Sequence, residues 1–201
     1  MSGTDVSTGQ SGRRRPARER LLAAAARRFY ADGVAATGID TITADAGVAK
    51  MSLYNNFSSK AELVRAYLDA RYEEWLGLYR ARLEQARGPR AGVLAVFDAY
   101  ADHAASGYEH GFRGCGLLNA AAELPAADEG RAVVRAHKEE VERLIADHLE
   151  ELLPGRPDEA HATAEHLSFL LEGAMARAGL EGDGVRLQHA RSLAADLLER
   201  L

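Results

Sequence analysis

Residues 37–63 constrain the fold of this chain more than any other stretch. Ile39 and Ile42 lie about one turn apart, and Ala46 follows four residues after Ile42, so the three share one face of a short helix. Thr37 is placed to cap that helix, with Asp40 three residues later as in a capping box. Gly47 follows at once and supplies the positive φ that ends a helix. Val48 then fills the corner. Leu53 and Phe57 stand four residues apart and form the inner edge of a second short helix. Ser59 caps a third helix, with Glu62 at the matching box position. The second helix leaves Lys50, Met51, Ser52, Tyr54 and Asn55 on or near its outer face, and no acidic residue lies between Gly47 and Phe57. Such groups suit phosphates and base edges in a DNA major groove.

The order helix, glycine turn, short helix, capped helix is a helix-turn-helix. The run from Gly47 and Val48 through Lys50, Ser52, Leu53, Tyr54, Phe57 and Ser59 to Lys60 resembles the signature of the TetR family of bacterial transcriptional regulators. The segment from Arg18 through Phe29 to Gly33 is similar to that family's first helix and its glycine stop. The detailed resemblance covers about the first third of the chain. Beyond it, the segment from Gly114 and Cys115 through Asn119 to Glu123 resembles one subgroup of the family's variable C-terminal domains. Two positions depart from the pattern. Ala49 stands where the family often has a capping serine, and an alanine N-cap costs about 1 kcal/mol. Thr43 stands where alanine is usual, and fits if its hydroxyl bonds back to a carbonyl.

The resemblance implies an all-α fold of about nine helices, with an N-terminal three-helix DNA-binding domain and a C-terminal helical domain for effector binding and dimerisation. The expected division is a disordered tail over 1–12, a helix-turn-helix domain over 13–62 and an effector and dimerisation domain over 63–201. The candidate DNA-contacting residues are Thr37, Lys50, Met51, Ser52, Tyr54, Asn55 and Lys60. Ser52, Tyr54 and Lys60 sit where the resemblance implies backbone contact. Lys60 opens a helix, where its charge opposes the helix dipole, so stability alone does not select it. Lys50, Met51 and Asn55 are the candidates for base readout, and Asn56 is read as a brace for the helix. Arg13, Arg14 and Arg15 form a basic arm with two open readings: minor-groove insertion, or a mobile tail adding only salt-dependent affinity.

Net charge, −5 overall, fits a DNA partner only when it is divided. Residues 1–60 hold nine Lys/Arg and five Asp/Glu, a balance of +4, whereas residues 61–201 hold 16 and 25, a balance of −9. A basic end can meet phosphate while an acidic body stays away from it. One cysteine allows no intrachain disulfide. No apolar run approaches the roughly 20 residues of a membrane span, and the stretch Leu21 to Ala26 is too short and too quickly broken by Arg27 and Arg28 for a signal-peptide core. The expectation is a cytoplasmic protein without a membrane partner.

Further along, Pro16 suits the first turn of a helix reaching Asp32, with Leu22, Ala25, Ala26 and Phe29 as its inner stripe. The Ser59-capped helix runs on to about Arg87 and is broken at Gly88 and Pro89. Helices follow over about 90–105, 115–123, 128–153, 158–178 and 185–200, and no strand-like alternation appears. Phe97, Tyr100, Phe112, Cys115, Leu118, Asn119, Phe169 and Met175 are candidates for lining an effector cavity, with a filled core as the competing reading. The lone Cys115 reads first as a small buried hydrophobe. The histidines show no metal-ligand spacing and no nucleophile elbow is present, so neither metal, cofactor nor enzymatic activity is expected. Leu167, Leu171, Ala174 and Ala178, then Ala190, Leu193 and Leu197, run at helical spacing and are the candidates for a homodimer interface. The reading is a regulator that binds a pseudo-palindromic operator as a homodimer, in this family most often a repressor released by a small-molecule effector. The alternative is a helical carrier or interaction module that has lost DNA binding.

Overall fold

The computed structural model describes residues 11–201, with side chains from Pro16 onward. The expected tail over 1–12 falls largely outside the described residues, and so do the side chains of Arg13, Arg14 and Arg15. The order is α1 (Ser11–Asp32), α2 (Ile39–Asp45), α3 (Lys50–Tyr54), α4 (Lys60–Leu83), α5 (Pro89–Ala105), α6 (Gly116–Glu123), α7 (Glu129–Leu152), α8 (Pro157–Glu181) and α9 (Val185–Leu198). No strand occurs among the described residues, and none of their helices is long and apolar enough to cross a membrane. The chain divides into two compact units between Tyr67 and Leu68.

In the first unit, α1, α2 and α3 pack around Leu21, Ala25, Phe29, Ile42, Leu53 and Phe57, all buried. Of the expected inner stripe of α1, Ala25 and Phe29 are buried, and Leu21 and Ala24 take the places of Leu22 and Ala26. Leu21 and Ala24 are fully buried, while Leu22 and Ala26 are only half-buried. α1 also begins at Ser11, so Pro16 lies inside it and removes one helical hydrogen bond there. Gly47 has φ of 61° and closes the turn between α2 and α3. The Thr43 hydroxyl donates back to the Asp40 carbonyl at 3.1 Å, which is how threonine fits against its neighbour.

Thr37 does not cap α2. That helix starts at Ile39 with Gly38 at the cap and no side-chain bond. The Thr37 side chain is buried, and its hydroxyl donates 2.6 Å to the Gly33 carbonyl, which the positive φ of Gly33 turns toward it. At α4, Ser59 accepts from the Glu62 N–H at 3.1 Å as expected. The return half of the box is displaced by one residue: Glu62 Oε2 accepts from the N–H and the hydroxyl of Ser58, both at 2.6 Å.

The second unit buries one apolar core. Trp75 and Tyr79 of α4, Val96, Phe97 and Tyr100 of α5, Ile145 and Leu149 of α7, Leu167 and Leu171 of α8 and Ala194 of α9 all belong to it. Two of the unit's glycines allow close approaches. A β-carbon on Gly92 would stand 2.5 Å from the His148 ring, whose Nε2 meets the Tyr79 hydroxyl at 2.9 Å. One on Gly179 of α8 would stand 2.7 Å from the Cα of Gly114, in the loop before α6. Two ion pairs join elements across this core's rim: Arg82 to Asp102, and Arg191 to Asp98 at 2.5 Å. Asp128 caps α7 by accepting from the Gly130 N–H at 2.8 Å.

Candidate functional site

The outer face of α3 and the start of α4 form the first candidate site. Leu53 is fully buried and Phe57 nearly so, which fixes the rotation of α3. That rotation leaves Met51 70% and Tyr54 47% exposed. Asn55 is exposed as well, and Ser52 and Lys60 are half-buried. Asn56 braces the helix as expected, its amide donating 2.7 Å to the Ser52 carbonyl. Ala49 caps α3 without a side-chain bond. Thr37 drops out of the set of side-chain contacts, because its hydroxyl is buried and already spent on Gly33.

Charge at this surface is partly pre-engaged. Lys50 Nζ lies 2.8 Å from Asp40 Oδ1, and the Asp40 hydrogen bond raises the lysine pKa above its ordinary value. Both side chains are largely exposed, so water screens the pair and it adds little to stability. It is readily exchanged for another anion. A firmer contact lies behind the surface. Arg28 of α1 grips Asp45 at the end of α2 in a two-pronged pair, 2.6 and 3.0 Å, and this holds the Asp45 carboxyl below the usual range. The Arg18 guanidinium sits 4.6 Å from the centroid of Phe57. The fork from α1 is absent from a pattern-based reading because Arg28 and Asp45 are 17 residues apart.

The second candidate site is a cavity in the second unit, lined by Arg71, Tyr72 and Trp75 of α4, Tyr100 and His103 of α5, Cys115, Leu117 of α6, His137 and Lys138 of α7 and Met175 of α8. Its volume is about 30 Å³, and Cys115 and Met175 also line a cleft of about 430 Å³ bounded by Arg113, Leu118, Asn119, Gly179 and Leu180. Of the expected lining, Tyr100, Cys115 and Met175 face the cavity and Leu118 and Asn119 face the cleft. Phe97 and Phe112 are packed into the core. Phe169 is 67% exposed and belongs to neither.

A polar cluster surrounds this cavity. Lys138 Nζ lies 2.6 Å from Glu172 Oε1 and 3.1 Å from the Tyr100 hydroxyl. Burial opposes the charge on Lys138, yet Cys115, Tyr100 and Glu172 hold its pKa well above that of an ordinary lysine. Burial also pushes the Tyr100 phenol up. Arg71 Nη2 meets His103 Nε2 at 2.7 Å, and Arg71 Nη1 meets Glu74 at 2.7 Å. Burial first, then the charges of Arg71 and Lys138, lower His103 to about 4. The signal that marks these residues is a polar side chain at a core position: Lys138 continues the spacing of Val134, Val141 and Ile145 along α7. No group of His, Cys, Asp and Glu suited to a metal occurs among the described residues.

The expected dimer row is corrected. Leu167, Leu171, Ala178 and Ala190 are buried in the unit's own core, and Ala174 and Leu197 are half-buried. Only Leu193 of that set is exposed. The outward stripe of α8 is Ala162, His166, Phe169, Gly173, Ala176 and Leu180, all exposed and spaced by three and four. Val185 and Leu193 are the exposed apolar residues of α9. Both rows have helical period, and periodicity alone does not say which faces inward.

Comparison with known proteins agrees with this architecture. The model of bacterial regulatory proteins of the tetR family matches residues 21–67. The crystal structure of the TetR-family regulator SCO4454 from Streptomyces coelicolor is 33% identical, with a TM-score of 0.81 over 92% of this chain and 95% of that one. The chain belongs to the TetR family of transcriptional regulators. Among curated relatives, it is 44% identical over 64 residues to the regulator TtgR of Pseudomonas putida, 32% of this chain and 30% of that protein. It is 38% identical over 104 residues to the transcriptional activator FasR of Mycolicibacterium smegmatis, 48% of this chain and 47% of that one. The chain thus spans between about a third and a half of the length of these curated relatives.

Proposed function

We propose that this protein is a DNA-binding transcriptional regulator, a repressor released from its operator by a small-molecule effector. The observation that carries the reading is the outer face of α3. A helix fixed from behind by Leu53 and Phe57 presents Met51, Tyr54 and Asn55 to solvent, with Lys50 and Lys60 at its flanks and no carboxylate of its own. In the bound state, Ser52, Tyr54 and Lys60 hold phosphates while Lys50, Met51 and Asn55 reach base edges. Lys50 exchanges Asp40 for DNA.

The protein acts as a homodimer through the outward stripe of α8, with Phe169, Gly173, Ala176 and Leu180 meeting their copies and Val185 and Leu193 of α9 completing a four-helix contact. A two-fold pair places its recognition helices about 34–36 Å apart, or a multiple of that, on a pseudo-palindromic site. The cavity receives the effector. Arg71, Tyr72 and Trp75 project from α4, the helix whose first residue is Lys60. An effector that prefers one placement of α4 weakens operator binding by the same coupling free energy with which DNA weakens the effector.

The test is a gel shift on the DNA upstream of the protein's own gene, run over a range of salt. The wild type should bind with steep salt dependence, and Lys60→Ala should bind more weakly on all sequences with a salt slope reduced by about one. No retardation of that DNA or of a pool of random duplexes at low salt would overturn the reading.

A further inference from the structure

The cavity in the second unit has more hydrogen-bond donors than its own walls can satisfy. Trp75 is 5% exposed and its Nε1–H, a donor only, has no acceptor. Arg71 Nε–H is likewise buried without one. His103, 7% exposed, supplies a third. Its Nε2 faces Arg71 Nη2 at 2.7 Å, and a guanidinium donates without accepting, so Nε2 is the acceptor. The ring is neutral near pH 7, since burial lowers its pKa to about 4. Its one hydrogen is therefore on Nδ1, and Nδ1 is buried without a partner. Buried donors are nearly always paired in folded proteins, so three unpaired ones on residues that line one cavity point to a ligand that brings the acceptors. Tyr72 Oη is also unpaired and can serve either way, whereas His137 Nδ1 is an acceptor, since its Nε2 faces the Asp69 carboxylate at 3.5 Å. The unpaired acceptor nearby, Glu172 Oε2, does not line the cavity.

Charge and shape narrow the ligand further. The lining holds two cations, Arg71 and Lys138, each paired with a carboxylate outside it, Glu74 and Glu172, and no carboxylate of its own. It is also rich in aromatic rings packed on one another: Trp75 stacks on Tyr72 at 5.9 Å and on Tyr79 at 5.6 Å and meets Tyr100 edge-on at 5.3 Å, and Tyr72 stacks on His137 at 4.2 Å. A space of about 30 Å³ admits about two waters. A larger guest needs the cleft of about 430 Å³ that shares Cys115 and Met175 with the cavity, and methionine, unbranched and flexible, can move to admit it.

We propose that this cavity takes a planar aromatic molecule bearing an anionic oxygen acceptor, an aryl carboxylate or a phenolate. Its oxygen receives hydrogen bonds from Arg71 Nε, Trp75 Nε1 and His103 Nδ1, and its ring lies against the aromatic wall and passes Met175 into the cleft. The proposal rests on the effector reading of the same site and specifies the chemistry of the guest.

The test uses the full-length protein and three probes: 2-naphthoate, the cationic 2-naphthylmethylamine, and cyclohexanecarboxylate, which keeps the anion and loses the plane. Trp75 is the one tryptophan of the chain, so its emission reports the cavity, and calorimetry gives the affinities. Naphthoate should quench saturably and bind about tenfold or more tightly than either other probe. His103→Leu should weaken it by about tenfold, the loss of one hydrogen bond to a charged group. His103→Asn, whose amide N–H takes the place of Nδ1–H, should restore most of it. Equal or tighter binding of the amine, or no naphthoate binding at all, overturns the proposal without need of any variant. Full affinity in a folded His103→Leu overturns the assigned donors. Naphthoate that binds yet leaves DNA affinity unchanged supports the cavity chemistry and refutes the effector reading. DNA binding without naphthoate uptake does the reverse.

Discussion

The surface of α3 and the cavity in the second unit are built on opposite principles. On α3 the polar groups face water, satisfied or screened, and the apolar groups behind them do nothing but hold position. Around the cavity the polar groups are buried, and several N–H groups have no partner. The first arrangement suits a partner that is large, charged and met from solution. The second suits a small guest that must be taken in whole, because unpaired buried donors are costly until an acceptor arrives. A single helix period serves both, so what separates a reading surface from a receiving pocket is where each polar residue falls relative to the core.

The largest effect that tests this contrast is on packing. Leu53 is fully buried, and Leu53→Ala should cost about 2–5 kcal/mol. It should lower the thermal midpoint and abolish the gel shift while the emission of Trp75 stays at its wild-type wavelength. A shifted emission maximum in Leu53→Ala would mean that the two regions are not separately built.

A smaller effect concerns pH. His103 titrates near 6.5 when unfolded and about 4 when folded, so the unfolded chain takes up protons first as pH falls. Stability contributed by the neutral ring is complete above pH 6.5 and is lost progressively as pH falls from there through about 4. The size is on the order of 3 kcal/mol for a shift of this extent. Denaturant unfolding at pH 7 and pH 4.5, in wild type and His103→Asn, should show a shallower loss in the variant. Identical losses would remove His103 from the buried, neutral state the cavity account needs.

The sequence was most legible where interactions are local. The α2–α3 turn at Gly47, the inward Leu53 and Phe57, the Ser59 cap and the brace from Asn56 all lie within four residues of their partners or depend on one residue's backbone. Thr37 failed because a bond to Gly33, four residues back, outcompeted the cap it is spaced for. The cavity was less legible because its geometry is assembled from α4, α5, α7 and α8. Tyr100, Cys115 and Met175 could be named from type and position, but nothing local shows that Arg71 orients His103 or that Lys138 meets Glu172 34 residues away. Phe169 and the row Leu167, Leu171 and Ala178 were exchanged between inside and outside for one reason: α8 is apolar on both faces, and only its packing against α7 and α9 says which is buried.

The most direct measurement is the operator affinity of the protein with and without a saturating cavity ligand, paired with the ligand's affinity with and without operator. The account predicts that ligand weakens DNA binding by between about 5- and 150-fold, and that DNA weakens ligand binding by the same factor. Equal DNA affinity in the presence and absence of a ligand shown by Trp75 to occupy the cavity would contradict it.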